Sequence, residues 1–179
     1  MYWEDLFTPE AEADLIRAFD TLPFRPFEFH GRFGNRRIVS FGFQYDYGGR
    51  RLRQEPAIPE FLHPLKEAAA RFSGLPAEGF SHALVTEFMP GAGIGWHCDK
   101  PVFRNVVALS FGSSCRLRFR RASNGKWQRV SQLIRGRSAY LLSGPARTQW
   151  EHSIPAVDGL RYSVTFRDFE PDYDHGASE

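Results

Sequence analysis

The stretch CRLRFRRASNGKWQRVSQLI, residues 115–134, decides the fold class of this 179-residue chain. In its first half, Leu117 and Phe119 alternate with arginines, which is the two-residue period of a β-strand with one buried face and one cationic face. Asn124-Gly125 separates this half from a second strand-like run, and an Asn-Gly pair in that setting is a strong β-hairpin signal. The stretch therefore predicts two antiparallel strands joined by a tight turn.

Similar short segments, rich in β-branched and aromatic residues, lie on both sides of this hairpin. They are HALVTEF at 82–88, NVVALSF at 105–111, SAYLLS at 138–143 and RYSVTFR at 161–167. Short strands at such regular spacing favour a β-sandwich or barrel. Nearer the start of the chain, apolar periodicity predicts helices at about residues 9–22 and 59–73. The predicted fold class is mainly β with flanking helices.

Composition narrows the class of protein further. Apolar residues make up 42% and charged residues 25% of the chain, as in an ordinary globular domain. No apolar run approaches the ~18 residues that a membrane helix needs, and the acidic start MYWEDLFTPE lacks the pattern of a secretory signal. Two cysteines are too few for a disulfide framework. We expect a cytoplasmic protein without a membrane partner.

Charge is distributed in blocks along the chain. Residues 32–53 carry six basic side chains and one acidic one, and residues 101–147 carry ten basic and no acidic side chains. Such blocks can form a positive surface for a polyanion such as nucleic acid. A solvated strand face rich in arginine is the alternative, and charge alone does not separate the two.

The segment WHCDK holds a candidate metal site. His97 and Asp99 are two residues apart, so on a strand both side chains point to the same face. His152, in the strand-like segment WEHSIP, could supply a third ligand and complete the 2-His-1-carboxylate set of non-haem Fe(II) oxygenases. A polar strand end with an incidental His and Asp is the structural alternative. Cys98 would point to the opposite face and is expected to be buried, as is Trp96.

The strand-like segment RYSVTFR carries two arginines on one face. Residues 161, 163, 165 and 167 share that face if the segment is a strand. Guanidinium groups that point into a protein are costly to bury unless they meet anions. A dicarboxylate would meet that need at Arg161 and Arg167, because arginine binds carboxylates in a bidentate way.

In combination, these residues resemble the AlkB family of Fe(II)/2-oxoglutarate dioxygenases. FMPGAGIGWHCDK is similar to the family's Pro-Gly turn before the first metal ligands, and NRRIVSFGFQYDY resembles its nucleotide-recognition segment. The resemblance implies a double-stranded β-helix, or jelly-roll, core. It also implies a single domain over residues 1–168, with helices and the recognition segment in about 1–80 and the jelly roll in 81–168. The acidic, polar tail 169–179 is expected to be disordered.

The resemblance also assigns roles to individual residues. It implies that His97, Asp99 and His152 hold Fe(II), with 2-oxoglutarate and O₂ as co-substrates. Arg161 would bind the far carboxylate of 2-oxoglutarate, and Arg167 would lie near its metal-bound end.

Four positions depart from the family's pattern. Thr86 and Ser163 stand where family members have asparagines that contact 2-oxoglutarate. We expect Thr86 and Ser163 to contact 2-oxoglutarate in their place. Phe88 stands in place of a tyrosine and cannot donate its hydrogen bond. Pro101 replaces an acidic residue with which some members read the base.

Four residues are candidate contacts to a nucleic-acid substrate: Arg36, Arg37, Tyr45 and Arg104. Tyr45 belongs to a run in which Phe41, Phe43, Tyr45 and Tyr47 alternate. Such a run forms either a core strand or a platform on which an extruded base stacks.

The function implied by the resemblance is oxidative dealkylation of damaged bases in DNA or RNA. The target would be in a single strand or flipped out of a duplex. A tRNA base hydroxylase or a protein side-chain oxidase of the same chemistry is one alternative, because Pro101 and a recognition segment that resembles those of tRNA-modifying family members leave it open. A non-enzymatic β-barrel that binds nucleic acid is the other. A monomer is expected.

Overall fold

The structure is a computed structural model that describes residues 1–29, 32–46 and 51–170, with side chains for all of these except 28–29, 32–34, 44–46 and 51–53. The helices are α1 Pro9–Phe19, α2 His63–Ser73 and α3 Pro145–Thr148, with 3-10 turns at Glu60–Leu62 and Ala77–Gly79. The strands are β1 Tyr2–Trp3, β2 Arg25–Phe29, β3 Arg32–Phe41, β4 Phe43–Asp46, β5 Arg51–Gln54, β6 His82–Phe88, β7 Ile94–His97, β8 Phe103–Gly112, β9 Cys115–Ser123, β10 Lys126–Ile134, β11 Ser138–Leu142, β12 Glu151–Ile154 and β13 Arg161–Phe169.

Both predicted helices are present but shorter than expected. The Thr8 side chain accepts a hydrogen bond from the Ala11 amide at 3.2 Å and starts α1. The helix ends at Phe19 rather than near residue 22, because Pro23 disfavours helical geometry at the residue before it. The first residues of the second predicted helix form a 3-10 turn instead.

The strands form two antiparallel sheets. The larger sheet has the order β1-β11-β8-β13-β6-β3-β2, the smaller has the order β10-β9-β12-β7, and β4 and β5 form a separate hairpin. The hairpin predicted from residues 115–134 is confirmed, with Ser123 paired to Lys126. Asn124 and Gly125 both have positive φ, 49° and 72°, as a type I′ turn requires. The expectation of a mainly β fold with flanking helices is confirmed.

The two faces of the larger sheet have different environments. One face packs against α1 and α2 in a core that includes Phe19, Leu65, Phe111 and Tyr162, where each fully buried large apolar side chain contributes about 1.5–3 kcal/mol. The other face looks toward the smaller sheet. None of the helices in the described ranges is long and apolar enough to cross a membrane.

Side chains along β13 point alternately to the two faces of the larger sheet, and this alternation determines which of them lie between the two sheets. Tyr162, Val164 and Phe166 belong to the core under the helices. The intervening residues 161, 163, 165 and 167 therefore point between the sheets. One strand thus supplies both an apolar core and a polar interior.

A polar cluster on the helix side ties α1 to the larger sheet. The Tyr162 hydroxyl donates to Asp20 at 2.5 Å and lies 3.3 Å from Glu87. Glu87 also accepts two hydrogen bonds from Arg37. Burial and these two carboxylates raise the pKa of Tyr162 well above its ordinary value, so the phenol stays protonated.

The predicted alternating aromatic run does not lie on one strand. Gly42, with φ +78°, separates β3 from β4, and a Cβ at this position would lie 2.0 Å from the Ser81 carbonyl oxygen. Phe41 is therefore buried under the helices, whereas Phe43 packs edge-on against Phe169 with ring centroids 5.6 Å apart. The side chain of Tyr45 and all of Tyr47 lie outside the described residues. So do residues 171–179 of the predicted tail.

Candidate active site

Two histidines and an aspartate converge where the smaller sheet faces the larger one. His97 ends β7 and is paired in register with His152 on the neighbouring strand β12. Asp99 follows two residues after the end of β7. The ligand atoms of the three side chains all lie within 4.8 Å of one another, and His152 Nε2 is 3.8 Å from Asp99 Oδ2. The structure thus brings together the three predicted metal-binding residues.

The protonation of this cluster suits a metal. His97 Nδ1 donates to the Gly95 carbonyl oxygen at 2.9 Å, which leaves Nε2 with a free lone pair. Burial lowers the pKa of His152 to about 4 even though Asp99 acts in the opposite direction. Two imidazole nitrogens beside one carboxylate are the donor set of non-haem Fe(II) sites.

Arg147 holds the backbone beside Asp99. This arginine is 4% exposed, and its Nη1 donates to the carbonyl oxygen of Lys100 at 3.0 Å and contacts that of Asp99 at 3.5 Å. The contacts matter because β7 has already ended at His97, so no sheet hydrogen bonds position Asp99. Sequence reasoning missed Arg147, since only the fold brings it to this loop.

A cavity of about 530 Å³ extends from the cluster between the two sheets. Such a volume is typical of a small-molecule site. The walls combine hydroxyl, aromatic and basic side chains, including Ser40, His82, Thr86, Phe88, Phe103, Tyr140, Ser163, Thr165 and Arg167. Thr86 and Ser163, both predicted from the sequence, are paired in register on β6 and β13.

Arg161 is fully buried behind this cavity. Its Nε donates to Ser110 Oγ at 3.2 Å, but Nη1 and Nη2 are buried without a hydrogen-bond partner in the described part of the chain. The guanidinium carbon lies 4.8 Å from the ring centroid of Phe88. A buried charge with two unused donors fits a carboxylate, as the sequence predicted for this residue.

Arg167 lies at the opposite end of the same strand and lines the cavity directly. Its Nη1 donates to His82 Nδ1 at 3.2 Å, and its guanidinium lies 5.0 Å from the Phe103 ring centroid. Burial and the neighbouring Arg167 lower the pKa of His82 well below the ordinary value, so His82 accepts this bond as a neutral ring. No sequence motif pointed to His82, because only the fold brings it to the cavity.

The four residues predicted to contact the substrate do not lie together around the cavity. Arg36 lines the cavity, donates to the Gly93 carbonyl oxygen at 3.3 Å and stacks on Phe27 at 3.8 Å. Arg37 does not reach the cavity, because adjacent residues of β3 face opposite sides and its partner is Glu87 on the helix side. Arg104 is exposed and lies outside the cavity wall. The side chain of Tyr45 lies outside the described residues.

Two further expectations in this region are wrong. Cys98 is exposed rather than buried, because β7 ends at His97 and strand alternation does not continue beyond it. Partial desolvation and the carboxylates of Glu151 and Asp99 raise the pKa of its thiol, which disfavours a reactive thiolate. Trp96 is only half-buried and contacts arginines rather than the core.

Comparison with known proteins identifies the class. The model of the 2OG-Fe(II) oxygenase superfamily matches residues 3–167. The chain therefore belongs to the 2OG-Fe(II) oxygenase superfamily, whose dioxygenases use Fe(II), 2-oxoglutarate and O₂, and it carries a His-Asp-His cluster that could hold a metal. This membership favours the predicted enzyme over the alternative of a non-enzymatic barrel.

Within the superfamily, the predicted resemblance to the AlkB family is confirmed. The chain is 27% identical over 158 residues to the alkylated DNA repair protein ALKBH8 homolog of Arabidopsis thaliana, covering 74% of this chain and 46% of that protein. The chain thus spans less than half the length of this relative. The solved structure of OsALKBH1 matches with a TM-score of 0.73 at 17% identity, covering 93% of this chain and 95% of that one. This likeness confirms the jelly-roll core.

Proposed function

We propose that the chain oxidatively dealkylates bases in nucleic acid, with His97, Asp99 and His152 as the ligands of Fe(II). The observation that carries the proposal is the convergence of these three side chains at a cavity, together with the unpaired guanidinium of Arg161, which is buried behind the cavity-lining ring of Phe88. A metal-binding keto acid with a distal carboxylate matches both ends of this arrangement. The similarity to the Arabidopsis alkylated DNA repair protein homolog supports the substrate class.

Arg161 and Tyr140 form the proposed anchor for the distal carboxylate of 2-oxoglutarate. Tyr140 lines the cavity and is 8% exposed. Burial raises the pKa of Tyr140 to about 12 even though Arg161 acts in the opposite direction, so its hydroxyl remains a donor. Tyr140 lines the same cavity as His97, Asp99 and His152. Tyr140 supplies the donor that Phe88 lacks.

The remaining polar residues orient the co-substrate and the target. Thr86 and Ser163 offer hydroxyl groups to 2-oxoglutarate along one cavity wall. Arg36, held against Phe27 and the Gly93 carbonyl oxygen, is the proposed contact to the target nucleotide. A base inside a duplex cannot reach this enclosed cluster, so the substrate is a single strand or a flipped nucleotide.

The chemistry balances for an alkyl group on a base nitrogen. When bound, Fe(II) couples the oxidation of 2-oxoglutarate to succinate and CO₂ with transfer of the second oxygen atom of O₂ to the alkyl carbon. The hydroxylated carbon then leaves as an aldehyde, and the nitrogen takes the hydroxyl proton, which restores the base. The protein residues bind the reactants, fix their orientation and exclude water.

Succinate formation tests the proposal. The protein would be incubated with Fe(II), 2-oxoglutarate and O₂, with alkylated single-stranded DNA, alkylated RNA, tRNA or protein extract. His97→Ala is the inactive control. Succinate that requires His97 and rises with an alkylated oligonucleotide supports base dealkylation, and the better oligonucleotide decides between DNA and RNA. A rise with unalkylated tRNA or protein extract alone contradicts dealkylation and favours the hydroxylase or side-chain oxidase alternative. A monomeric, cytoplasmic enzyme is part of the proposal.

A further inference from the structure

The outer face of the smaller sheet carries a cluster of arginines and tryptophans that the active site does not use. On β9, Arg116, Arg118 and Arg120 point away from the interior, opposite to the buried Leu117. Arg129 on β10 is directly paired with Arg120 across the strands. Together with Trp96 and Trp127, these four arginines make up the arginine–tryptophan face.

The aromatic rings and the guanidiniums of this face alternate in space. The guanidinium carbon of Arg120 lies 4.5 Å from the ring centroid of Trp96 and 4.5 Å from that of Trp127. The guanidinium carbon of Arg118 lies 5.0 Å from the ring centroid of Trp96. Trp96 can reach across β12 because the intervening residue there is the small Ser153, whose hydroxyl accepts a hydrogen bond from Arg118 at 3.1 Å.

The face has an excess of positive charge. Glu151 pairs with Arg120 at 2.6 Å. Arg116 and Arg118 donate to the neutral hydroxyls of Ser131 and Ser153 instead. Like charges directly opposite each other on neighbouring strands, as at Arg120 and Arg129, destabilise a sheet. A bound polyanion would relieve this repulsion.

The face is also accessible. Trp127 is 46% exposed, and all the residues of β10 from 126 to 133 are exposed at the edge of the sheet. A groove of about 300 Å³ lies beside Trp96 between Arg116, Arg118 and Arg129. Exposed indoles next to arginines are the combination with which proteins hold single-stranded nucleic acid, stacking unpaired bases and pairing phosphates.

We propose that the arginine–tryptophan face binds a single strand of nucleic acid flanking the target nucleotide. The guanidiniums of Arg116 and Arg129 contact phosphates, and the indole of Trp127 stacks on an unpaired base. Trp96 directly precedes His97, so the face adjoins the metal cluster on the other side of the same sheet. The inference rests on the proposed function for the class of polymer, but it concerns a surface separate from the cavity.

Binding of a fluorescein-labelled, unmodified single-stranded oligonucleotide tests this proposal. Fluorescence anisotropy would be measured from low to high salt for the wild type, for Arg116→Gln combined with Arg129→Gln, and for Trp127→Ala. A plot of the logarithm of the association constant against the logarithm of the salt concentration has a negative slope. In the double variant this slope should become shallower by ~0.7 for each lost phosphate contact. Trp127→Ala should weaken binding about tenfold through lost stacking.

Matched controls lie on the other side of the molecule. Arg71→Gln on α2 removes an exposed arginine, and Trp3→Ala on β1 removes an indole that is 59% exposed. Both should bind like the wild type. If the face variants also bind like the wild type, the face is not the binding surface. If the wild type binds no oligonucleotide, the proposed substrate class fails as well.

A second copy of the chain is the competing occupant of this face. Sedimentation velocity of the wild type and of Trp127→Ala shows whether this face binds a second copy of the chain. A dimer that Trp127→Ala dissociates would overturn the proposal, whereas a wild-type monomer with the expected loss of oligonucleotide binding supports it. All of the substituted side chains are exposed, and unchanged melting temperatures would verify that the variants fold.

Discussion

The guanidinium of Arg161 stacks 4.8 Å from the ring centroid of Phe88, with both terminal nitrogens buried and unpartnered among the described residues. A charge in such surroundings loses its hydration and regains little of it from an aromatic ring and one hydroxyl. The free protein therefore carries a local cost to stability that a carboxylate ligand removes. This coupling between stability and ligand binding gives the first prediction.

Arg161→Met should abolish 2-oxoglutarate binding while leaving the ligand-free protein as stable as the wild type or more stable, by about 1–4 kcal/mol. The reason is that an apolar side chain of similar length removes the unpaired charge. Denaturant unfolding and a 2-oxoglutarate titration with Mn(II) present measure the two effects. Normal binding of 2-oxoglutarate by this variant would contradict the anchor assigned to Arg161.

Tyr140→Phe should weaken 2-oxoglutarate binding about 10- to 100-fold, because it removes one hydrogen bond to a charged group. Isothermal titration calorimetry measures this effect directly. Tyr162→Phe is the matched control, since it also removes a buried phenol hydroxyl from the same sheet but on the helix side. That variant should lose stability and keep its affinity. Equal affinity in Tyr140→Phe and the wild type would remove Tyr140 from the anchor.

Mn(II), a redox-inert substitute for Fe(II), should stabilise the wild type by about 2.7 kcal/mol at a concentration 100 times its Kd. Asp99→Ala should lose this stabilisation, because it deletes the carboxylate of the cluster. His63→Ala is the control, since His63 is an exposed histidine on α2 that bonds only locally to the Ile58 carbonyl oxygen. A metal-dependent shift of equal size in Asp99→Ala would place the metal elsewhere.

The neutral state of His82 should make the metal-free protein sensitive to acid. Its pKa is lowered on folding, so the unfolded chain binds more protons below about pH 6.5. Stability is therefore complete above pH 6.5 and is lost as the pH falls through the folded pKa, by up to about 1.4 kcal/mol per pH unit. His82→Gln, which keeps a hydrogen-bond acceptor for Arg167, should lose less stability between pH 7.5 and 5. Urea unfolding at these pH values measures the difference, and identical slopes would refute the assignment.

The parts of the site that local sequence patterns encode were predictable. The His-x-Asp spacing, the second histidine and the two-residue period of β13 predicted the three side chains that converge at the cavity and the two interior arginines. Asn124-Gly125 fixed the hairpin because few residues tolerate its backbone geometry.

Contributions that depend on long-range packing were not predictable. Tyr140, His82 and Arg147 come from elements without a motif, and only the pairing of distant strands brings them to the cavity. The prediction that Cys98 is buried was wrong because it assumed that the strand β7 continues beyond His97. Arg36 and Arg37 are neighbours on one strand, so they cannot both line the cavity, and the register of β3 places Arg36 there.

The pairing of His97 with His152 has a consequence for folding. The two residues are distant in sequence, and contacts of such high contact order form late, after the entropy of loop closure has been overcome. Arg161, still further along the chain, must join β6 and β8 before the co-substrate pocket exists. A partly folded or nascent chain therefore lacks the complete set of three candidate metal ligands. The proposed iron site can exist only in molecules that have finished folding.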